Sequence, residues 1–372
     1  MVEYKIRAAE PIIEEEDIEA VTQALREKRL SSGKYAQEFE RAFADYIGVK
    51  EAVSVNSGTA ALHLALKALG VSSGDEVITT SFTFAATANV IVLLGAKPVF
   101  ADIEFDTFNL DPDTVEELIT PKTKVIMPIH YGGQCAEMDK INEIALEHDI
   151  YTVEDAAPAA GAMYKGVKGG ALSDVGCFSF FPDKNITTGE GGMITSNNPD
   201  IIKKASLLRN HGASDRYYHV DIGWNYRMID FAAALGLVQL KRLESVIEQK
   251  NIIAKEYDMR LKDIKGVKSP IIREYNRHTF MLYSVLFETH EAREKVKRSL
   301  YESGIESRIC FPPVHLQPVY ENLLKNKYNK LPITEETSQK ILSLPIHYNL
   351  TKIQINEIAT IIERGLNEKQ KF

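Results

Sequence analysis

One lysine in the sequence stands where its amine could act as a nucleophile. The segment CFSFFPDKNITTGEGGMI at 177–194 is typical of an apolar strand that Pro182 interrupts, followed by Lys184 and a glycine-rich turn. An amine buried behind such a strand loses its charge more easily and can attack a carbonyl. Ser179 and Lys184 could face one ligand. Most loop lysines are solvated instead, so Lys184 alone does not decide between the two interpretations.

Two adjacent carboxylates end a second apolar run, YTVED at 151–155. This run is typical of a strand, which would bring Glu154 and Asp155 to the edge of a sheet. A carboxylate there could keep a ring nitrogen, such as that of a pyridinium, protonated through a charge-assisted hydrogen bond. A divalent metal is an alternative partner, and a turn or helix-capping role without any ligand is another.

A possible anion site lies in VNSGTAALHLALKALG at 55–70. The chain passes from a strand end through residues 56–59 into an Ala- and Leu-rich helix, whose free amides and dipole would both attract a phosphate. An ordinary helix cap without a ligand is the alternative. His63, inside the apolar helix, is interpreted as a packed side chain.

Phe84 completes a set of four features. It lies near the start of a helix in SFTFAATANV at 81–90, where an aromatic ring could stack on a flat heterocycle or could simply fill the core. An anion cradle, an aromatic face, an acid for a ring nitrogen and a reactive lysine are the contacts that pyridoxal phosphate requires. Neither GxGxxG after a first strand nor GxxxxGK[ST] is present, which disfavours nicotinamide and nucleoside triphosphates. No HExxH or clustered His/Cys spacing suggests a metal, and none is expected.

The order of apolar segments predicts an α/β fold. Between about 50 and 200, short β-branched runs alternate with helical segments, which is typical of a mainly parallel sheet covered by helices. A long amphipathic helix is predicted over 228–261. Beyond it we predict an α+β region with strands at 280–287 and 307–311 and helices at 291–303 and 355–368. The predicted domains are 1–245, with an N-terminal helical segment, and 246–372.

Composition narrows the class of protein. The chain has 372 residues, 44% hydrophobic and 26% charged, as expected for a globular protein. A net charge of −8 disfavours binding to a nucleic-acid backbone. The absence of a leader-like start and of any run near ~20 apolar residues predicts a cytoplasmic location. Cys135, Cys177 and Cys310 lack paired spacing and are too few for an all-cysteine iron–sulfur cluster.

Seven motifs in their order and spacing carry a family resemblance. They are SGTAALHLAL, PVFADIEFDTFNLDP, EDAA, FSFFPDKNITTGEGGM, RNHG, GWNYRM and SLPIH. Over nearly the whole chain the sequence resembles the sugar aminotransferases of the DegT/DnrJ/EryC1/StrS family. The resemblance implies the fold type I arrangement of pyridoxal-phosphate enzymes, with a large mainly parallel-sheet domain, a smaller α+β C-terminal domain, and a homodimer that shares its active sites.

The resemblance also implies a role for each matched residue. Lys184 matches the family's Schiff-base lysine and Asp155 the partner of the pyridine nitrogen. Phe84 matches the ring that stacks on the cofactor, and Asn225 would reach the phosphate from the other subunit. His315, in FPPVHLQPVY, falls in the segment directed at the sugar, although a surface loop histidine is an equal alternative. The phosphate-binding positions are matched by Gly58, Thr59, Ala60 and Ser179.

The implied reaction is a ping-pong transamination. An amino acid, glutamate by resemblance, would convert the cofactor to pyridoxamine phosphate, which would then aminate a nucleotide-linked 4-keto or 3-keto 6-deoxy sugar. Cyclitol ketones are possible acceptors by the same resemblance. A deoxysugar dehydratase is a second hypothesis, but those relatives have histidine in place of Lys184. A cofactor-binding regulator without enzymatic activity is a third.

One position departs from the family pattern. Many relatives have His or Gln three residues after the aspartate, whereas this chain has Pro158 in EDAAPAAGA. A polar contact to the cofactor's phenolic oxygen is therefore expected to be missing or to come from another residue.

Overall fold

Helices and strands alternate through the first two-thirds of the chain. A computed structural model describes residues 4–324 and 330–367. The helices are α1 Glu15–Arg26, α2 Lys34–Ile47, α3 Gly58–Ala68, α4 Ala85–Leu93, α5 Pro112–Glu116, α6 Met138–Glu147, α7 Pro199–Arg209, α8 Asp230–Leu261, α9 His290–Glu302, α10 Pro318–Leu324, α11 Pro332–Lys340 and α12 Lys352–Asn367. Within the described ranges, none of these helices is long and apolar enough to cross a bilayer.

The strands are short, and most of them end in small or polar residues. They are β1 Glu51–Val55, β2 Glu76–Thr80, β3 Lys97–Ala101, β4 Thr123–Met127, β5 Tyr151–Asp155, β6 Met163–Tyr164, β7 Val167–Lys168, β8 Val175–Ser179, β9 Gly192–Ser196, β10 Ala213–Asp215, β11 Tyr218–His219, β12 Val267–Lys268, β13 Asn276–Arg277, β14 Tyr283–Phe287 and β15 Ile341–Leu344.

A seven-stranded sheet forms the centre of the large domain, in the order β1-β9-β8-β5-β4-β2-β3. The pairings from β8 to β3 are parallel, whereas β9 is antiparallel to both of its neighbours. Helices α3, α4 and α7 cover one face, and α2, α6 and α8 cover the other. Coverage on both faces explains why the central strands are continuous apolar runs rather than alternating ones.

The C-terminal part of the chain forms a smaller region of mixed helices and strands, called the small domain below. Strands β12, β14 and β15 form an antiparallel sheet, and α9, α12 and the last part of α8 pack against it. Helix α8 runs unbroken from Asp230 to Leu261, so the predicted division at 245/246 lies inside a continuous helix. The N-terminal segment was predicted to belong to the large domain. It contacts the small domain, where Ile6 forms a β-bridge with Ile305.

The sequence predicted most of these elements. The α/β fold with a mainly parallel sheet is confirmed, and the run at 151–155 coincides with β5. Helix 291–303 corresponds to α9, and 355–368 to α12, although residue 368 lies outside the described residues.

The predicted strand at 307–311 is wrong. The structure has a single bridge there, between Arg308 and Ser343, and β15 takes the place beside β14. Ile309 packs into the core of the small domain, whereas Phe311 packs into a separate cluster beside Tyr131, so the two apolar residues serve different cores. The prolines that follow have no N–H to extend a ladder.

Four phenylalanines join α2 to the central sheet. The ring of Phe43 is fully buried, and its centroid lies 5.9 Å from Phe39, 4.9 Å from Phe178 and 5.4 Å from Phe180. Phe39 and Phe43 are four residues apart, so they lie on one face of α2. Since Phe178 and Phe180 belong to the segment that leads to Lys184, this cluster fixes the approach to the lysine.

Replacing Phe43 should therefore destabilise the fold strongly. We expect Phe43→Ala to lower the free energy of unfolding by about 3–5 kcal/mol, because the lost ring leaves a cavity that the sheet cannot fill. Urea titration followed by circular dichroism measures this change. The control is Leu146→Ala, whose side chain is 84% exposed and whose loss should cost less than about 0.5 kcal/mol. Equal effects of the two substitutions would contradict the packing role.

Candidate active site

The chemistry-bearing residues meet at one edge of the central sheet. Strand β2 leads to Phe84, the N-cap of α4, while β5 ends at Asp155 and β8 ends at Ser179. The three strands lie in the parallel part of the sheet, so their carboxyl ends share one edge. Ligands of open α/β sheets bind in the crevice at this edge.

Asp155 is buried, and both of its carboxylate oxygens are hydrogen-bonded. The hydroxyl of Thr87 donates to Oδ2 at 2.7 Å, and the amide of Ala157 donates to Oδ1 at 3.2 Å. Burial raises the pKa of Asp155, while these two donors and the charge of Lys184 act in the opposite direction. The two donors thus hold the carboxylate of Asp155 in place at the end of β5.

Glu154 faces the other side of β5 and has a structural role. His130 Nε2 lies 2.7 Å from Oε2, and the amide of Gly170 donates to that same oxygen at 2.6 Å. The amide of Leu172 and the hydroxyl of Ser173 donate to Oε1. The amide of Ala136 donates to His130 Nδ1, so the Nε2 proton is free to point at Glu154. Glu154 thus anchors the turn that precedes β8.

A cradle for an anion forms where the start of α3 meets the end of β8. Ser57 caps the helix by accepting from the amide of Ala60 at 3.1 Å, and the amides of Gly58 and Thr59 lie in the first turn, where no helical carbonyl can accept from them. A Cβ on residue 58 would lie 2.7 Å from Cβ of Ser179, so only glycine permits this approach. Amides, a hydroxyl and a helix dipole together suit a phosphate.

Lys184 lies in the turn after Pro182, with its side chain 16% exposed. Its Nζ is 3.6 Å from Oδ1 of Asp183, and Oδ2 of that acid is 3.4 Å from the guanidinium of Arg308. The side chain is therefore shielded from most solvent but not fully enclosed, which is compatible with a nucleophilic lysine.

The residue after Lys184 ties the turn to two other parts of the structure. The side-chain nitrogen Nδ2 of Asn185 donates to the carbonyl of Thr279 at 2.9 Å, and the side-chain oxygen Oδ1 accepts from Nζ of Lys250 at 2.7 Å. Lys250 is buried on α8, and burial lowers its pKa from 10.5 to about 8. The lysine turn is thus tied to α8 and to the segment before β14.

Phe84 presents its ring to open space, although it caps a helix that is otherwise apolar. Its side chain is 63% exposed, and its nearest aromatic neighbour is Phe311, with ring centroids 6.3 Å apart. Exposure of a large ring beside the buried Asp155 is costly unless another surface covers it.

The structure places the remaining predicted residues differently. Asn225 is exposed, and its backbone carbonyl accepts from the side chain of Asn56 at 3.5 Å, next to the start of α3. His315 is fully buried, with Nδ1 2.6 Å from the hydroxyl of Ser81, so the predicted contact with a sugar is not evident. Pro158 is also buried, and its carbonyl accepts from the hydroxyl of Thr279.

This set of residues fits pyridoxal phosphate. The glycine-lined cradle suits its phosphate, the exposed ring of Phe84 its flat face, and the buried Asp155 its ring nitrogen. Fold and site together define the fold type I class of pyridoxal-phosphate-dependent enzymes. The family profile described as the DegT/DnrJ/EryC1/StrS aminotransferase family matches residues 11–363, and the chain belongs to this family. The predicted enzyme class, an aminotransferase, is confirmed.

Individual relatives cover almost the full length of the chain. GDP-perosamine synthase from Caulobacter vibrioides is 41% identical over 97% of this chain and 98% of its own. UDP-4-amino-4,6-dideoxy-N-acetyl-beta-L-altrosamine transaminase from Campylobacter jejuni is 38% identical over 91% of each chain. Among solved structures, DesV from S. venezuelae superimposes with a TM-score of 0.91 at 34% identity, covering 95% of both chains.

Sequence reasoning missed several residues of the site. Thr87, His130 and Lys250 received no role, although Thr87 contacts Asp155, His130 contacts Glu154, and Lys250 contacts the residue that follows Lys184. Thr87 could have been suspected, since it lies three residues after Phe84 in the first turn of the same helix. Lys250 sits on a helix with many charged residues, and no sequence signal distinguishes it from its exposed neighbours.

The low pKa of Lys250 predicts a pH-dependent stability. Its pKa is about 8 in the folded state and near 10.5 ordinarily, so its contribution is fully present above about pH 10.5 and is lost as pH falls through 8. Relative to Lys250→Met, the native protein should gain about 2 kcal/mol in free energy of unfolding between about pH 7 and about pH 9.5. Urea titrations at both pH values measure this gain.

The control for this measurement is Lys241→Met, which removes an exposed lysine from the same helix and should follow the native protein at both pH values. Parallel stability curves for the native protein and Lys250→Met would contradict the shifted pKa of Lys250.

Proposed function

We propose that this aminotransferase moves an amino group from an amino acid, glutamate, to a keto group on a nucleotide-linked 6-deoxy sugar. The observation that carries the proposal is the meeting of the buried Asp155, Ser179 and the start of α3 at one sheet edge, with the largely buried Lys184 in the turn that follows Ser179. The names of the two reported relatives support a nucleotide-linked sugar, one with GDP and one with UDP. The second name specifies nitrogen at carbon 4 of a 4,6-dideoxy sugar, which supports a 4-keto acceptor ahead of a 3-keto one.

Two side chains perform the proton chemistry in this proposal. Pyridoxal phosphate, when bound, supplies a carbonyl carbon that takes up the amino group and a cationic ring that stabilises negative charge. Lys184 would hold the cofactor covalently and, when its amine is free, would act as the general base that takes the proton from the donor's α-carbon. Asp155 holds the proton of the ring nitrogen in place. Asp183, 3.6 Å from Nζ, orients the free amine of Lys184.

We assign the binding of the cofactor's phosphate to the start of α3 and the residues around it. Gly58, Thr59 and Ala60 would hold the phosphate from the helix start, with the hydroxyl of Ser179 opposite them. Asn225 would complete the cradle from a second copy of the chain, which accords with its exposure here. The proposed unit is therefore a homodimer with shared sites.

The acceptor is assigned to the side of the crevice near Phe84 and the segment 311–320. His315 belongs to this segment, but its ring is buried against Ser81. We therefore assign its first role to fixing this segment beside α4, where Tyr320 also donates to Asn89 at 2.6 Å. Contact between His315 and the sugar stays a prediction.

Removal of Lys184 tests the chemical assignment. We expect Lys184→Ala to lose the visible absorbance of the lysine-bound cofactor and to lower turnover by at least about 1,000-fold, because both covalent attachment and the general base disappear. Absorbance spectroscopy and an assay of the glutamate half-reaction measure these losses.

The control is Lys241→Ala, an exposed lysine on α8 whose loss should change neither quantity. A Lys184→Ala protein that turned over at the native rate would overturn the assignment.

Acceptor specificity is tested by single turnover. The protein is charged with pyridoxamine phosphate, mixed with a panel of nucleotide-linked 4-keto and 3-keto sugars and cyclitol ketones, and followed by absorbance for the return of the aldehyde form. We expect a nucleotide-linked 4-keto 6-deoxy sugar to react fastest. A panel in which only a cyclitol ketone reacts would exclude the sugar assignment but leave the aminotransferase class unchanged.

A further inference from the structure

A chain of hydroxyl groups reaches Asp155 from the start of α4. The hydroxyl of Thr87 donates to Oδ2 of Asp155 at 2.7 Å, and the hydroxyl oxygens of Thr83 and Thr87 lie 2.8 Å apart. Both threonines are 1% exposed and Asp155 is 3% exposed, so water cannot replace these contacts. None of the roles assigned above uses either threonine.

Each threonine hydroxyl has a single proton, and this determines which group donates and which accepts along the row of hydroxyl groups. A threonine hydroxyl has one proton, so if Thr87 donates to Asp155 it must accept from Thr83. Every hydroxyl proton then has an acceptor. If Asp155 were protonated and the order reversed, the proton of Thr83 would have no acceptor among the described residues, and a buried donor without a partner is costly. This hydroxyl chain therefore favours an Oδ2 that accepts and carries no proton.

The same chain also fixes the direction of the carboxylate. Oδ2 is held by Thr87 and Oδ1 by the amide of Ala157, so rotation of the carboxylate would break both bonds. Each carboxylate oxygen retains a second lone pair that can accept another donor. Thr87 lies in the first turn of the helix that Phe84 caps, so a single helix start positions both the acid and the ring.

We propose that Thr87, supported by Thr83, is a positioning residue that keeps Asp155 ionised and aimed at the ring nitrogen of the cofactor. This inference rests on the proposed role of Asp155. Thr87 itself does not touch the reacting atoms. Its influence passes through Asp155, so the protonation of the ring nitrogen is the quantity that Thr87 controls.

The direct test measures that protonation in the cofactor-loaded protein. Pyridoxal phosphate labelled with ¹⁵N in the ring is bound to the native protein and to Thr87→Val, and the ¹⁵N chemical shift reports whether the nitrogen carries a proton. Thr87→Val replaces the hydroxyl by a methyl group of similar size. We expect the shift to move toward that of the unprotonated ring, and the rate of the glutamate half-reaction to fall about 10- to 100-fold, as for a lost hydrogen bond to a charged group.

Three further variants separate this role from a purely structural one. Thr87→Ser retains the donor and should restore the native ¹⁵N shift and a rate within about threefold of native. Thr83→Val should move the shift in the same direction as Thr87→Val but by less, because it removes only the outer donor. Thr79→Val is the matched control, since the hydroxyl of Thr79 is equally buried and donates to the carbonyl of Met127 at 2.7 Å, away from Asp155. It should leave the ¹⁵N shift unchanged.

The outcomes distinguish this inference from the proposed function. A native ¹⁵N shift and a native rate in Thr87→Val would overturn the positioning role and leave the aminotransferase assignment intact. Equal changes in Thr79→Val and Thr87→Val would also overturn it, because the effect would then come from packing. If the native protein showed no half-reaction with any amino acid, the proposed function would fail instead.

Discussion

Two neighbouring carboxylates at the end of β5 impose the main constraint on the structure. Glu154 and Asp155 are both buried, and a buried charge is tolerated only when its oxygens are hydrogen-bonded. Because successive residues of a strand point to opposite faces, each acid must find its partners on a different side of the sheet. The partners of Glu154 fix the turn before β8 and so the position of Ser179. The side-chain donor to Asp155 is Thr87, and this bond fixes the start of α4 and thus Phe84.

The sequence was a good guide to the strands and to the residues at their ends. Buried parallel strands are continuous apolar runs bounded by polar residues, a pattern that a single sequence displays directly. Asp155 and Ser179 were therefore placed correctly at one sheet edge. The partners that hold them were not predictable, because Thr87 lies 68 residues from Asp155 and pairing at that distance leaves no local pattern.

The same physical reason explains the residues that were placed less well. His315 has the composition of a loop histidine, but Ser81, 234 residues away, takes it into the interior. The run at 307–311 has the composition of a strand, but its apolar residues serve two different cores. In each case a long-range contact overrides a local preference.

Helix α8 also explains how the turn that contains Lys184 can have a defined position although glycines follow it. A turn with glycines on its C-terminal side has little rigidity of its own, so its geometry must be imposed from outside. Asn185 provides this connection, since it bonds to Lys250 on α8 and to the carbonyl of Thr279 beyond it. Burial depresses the pKa of Lys250, and a buried lysine that lost its hydrogen bond to Asn185 would leave a polar group without that partner in the interior. The hydrogen bond between Asn185 and Lys250 thus fixes the residue next to Lys184. Lys184 is positioned through its neighbour, and its own amine is not used for that purpose.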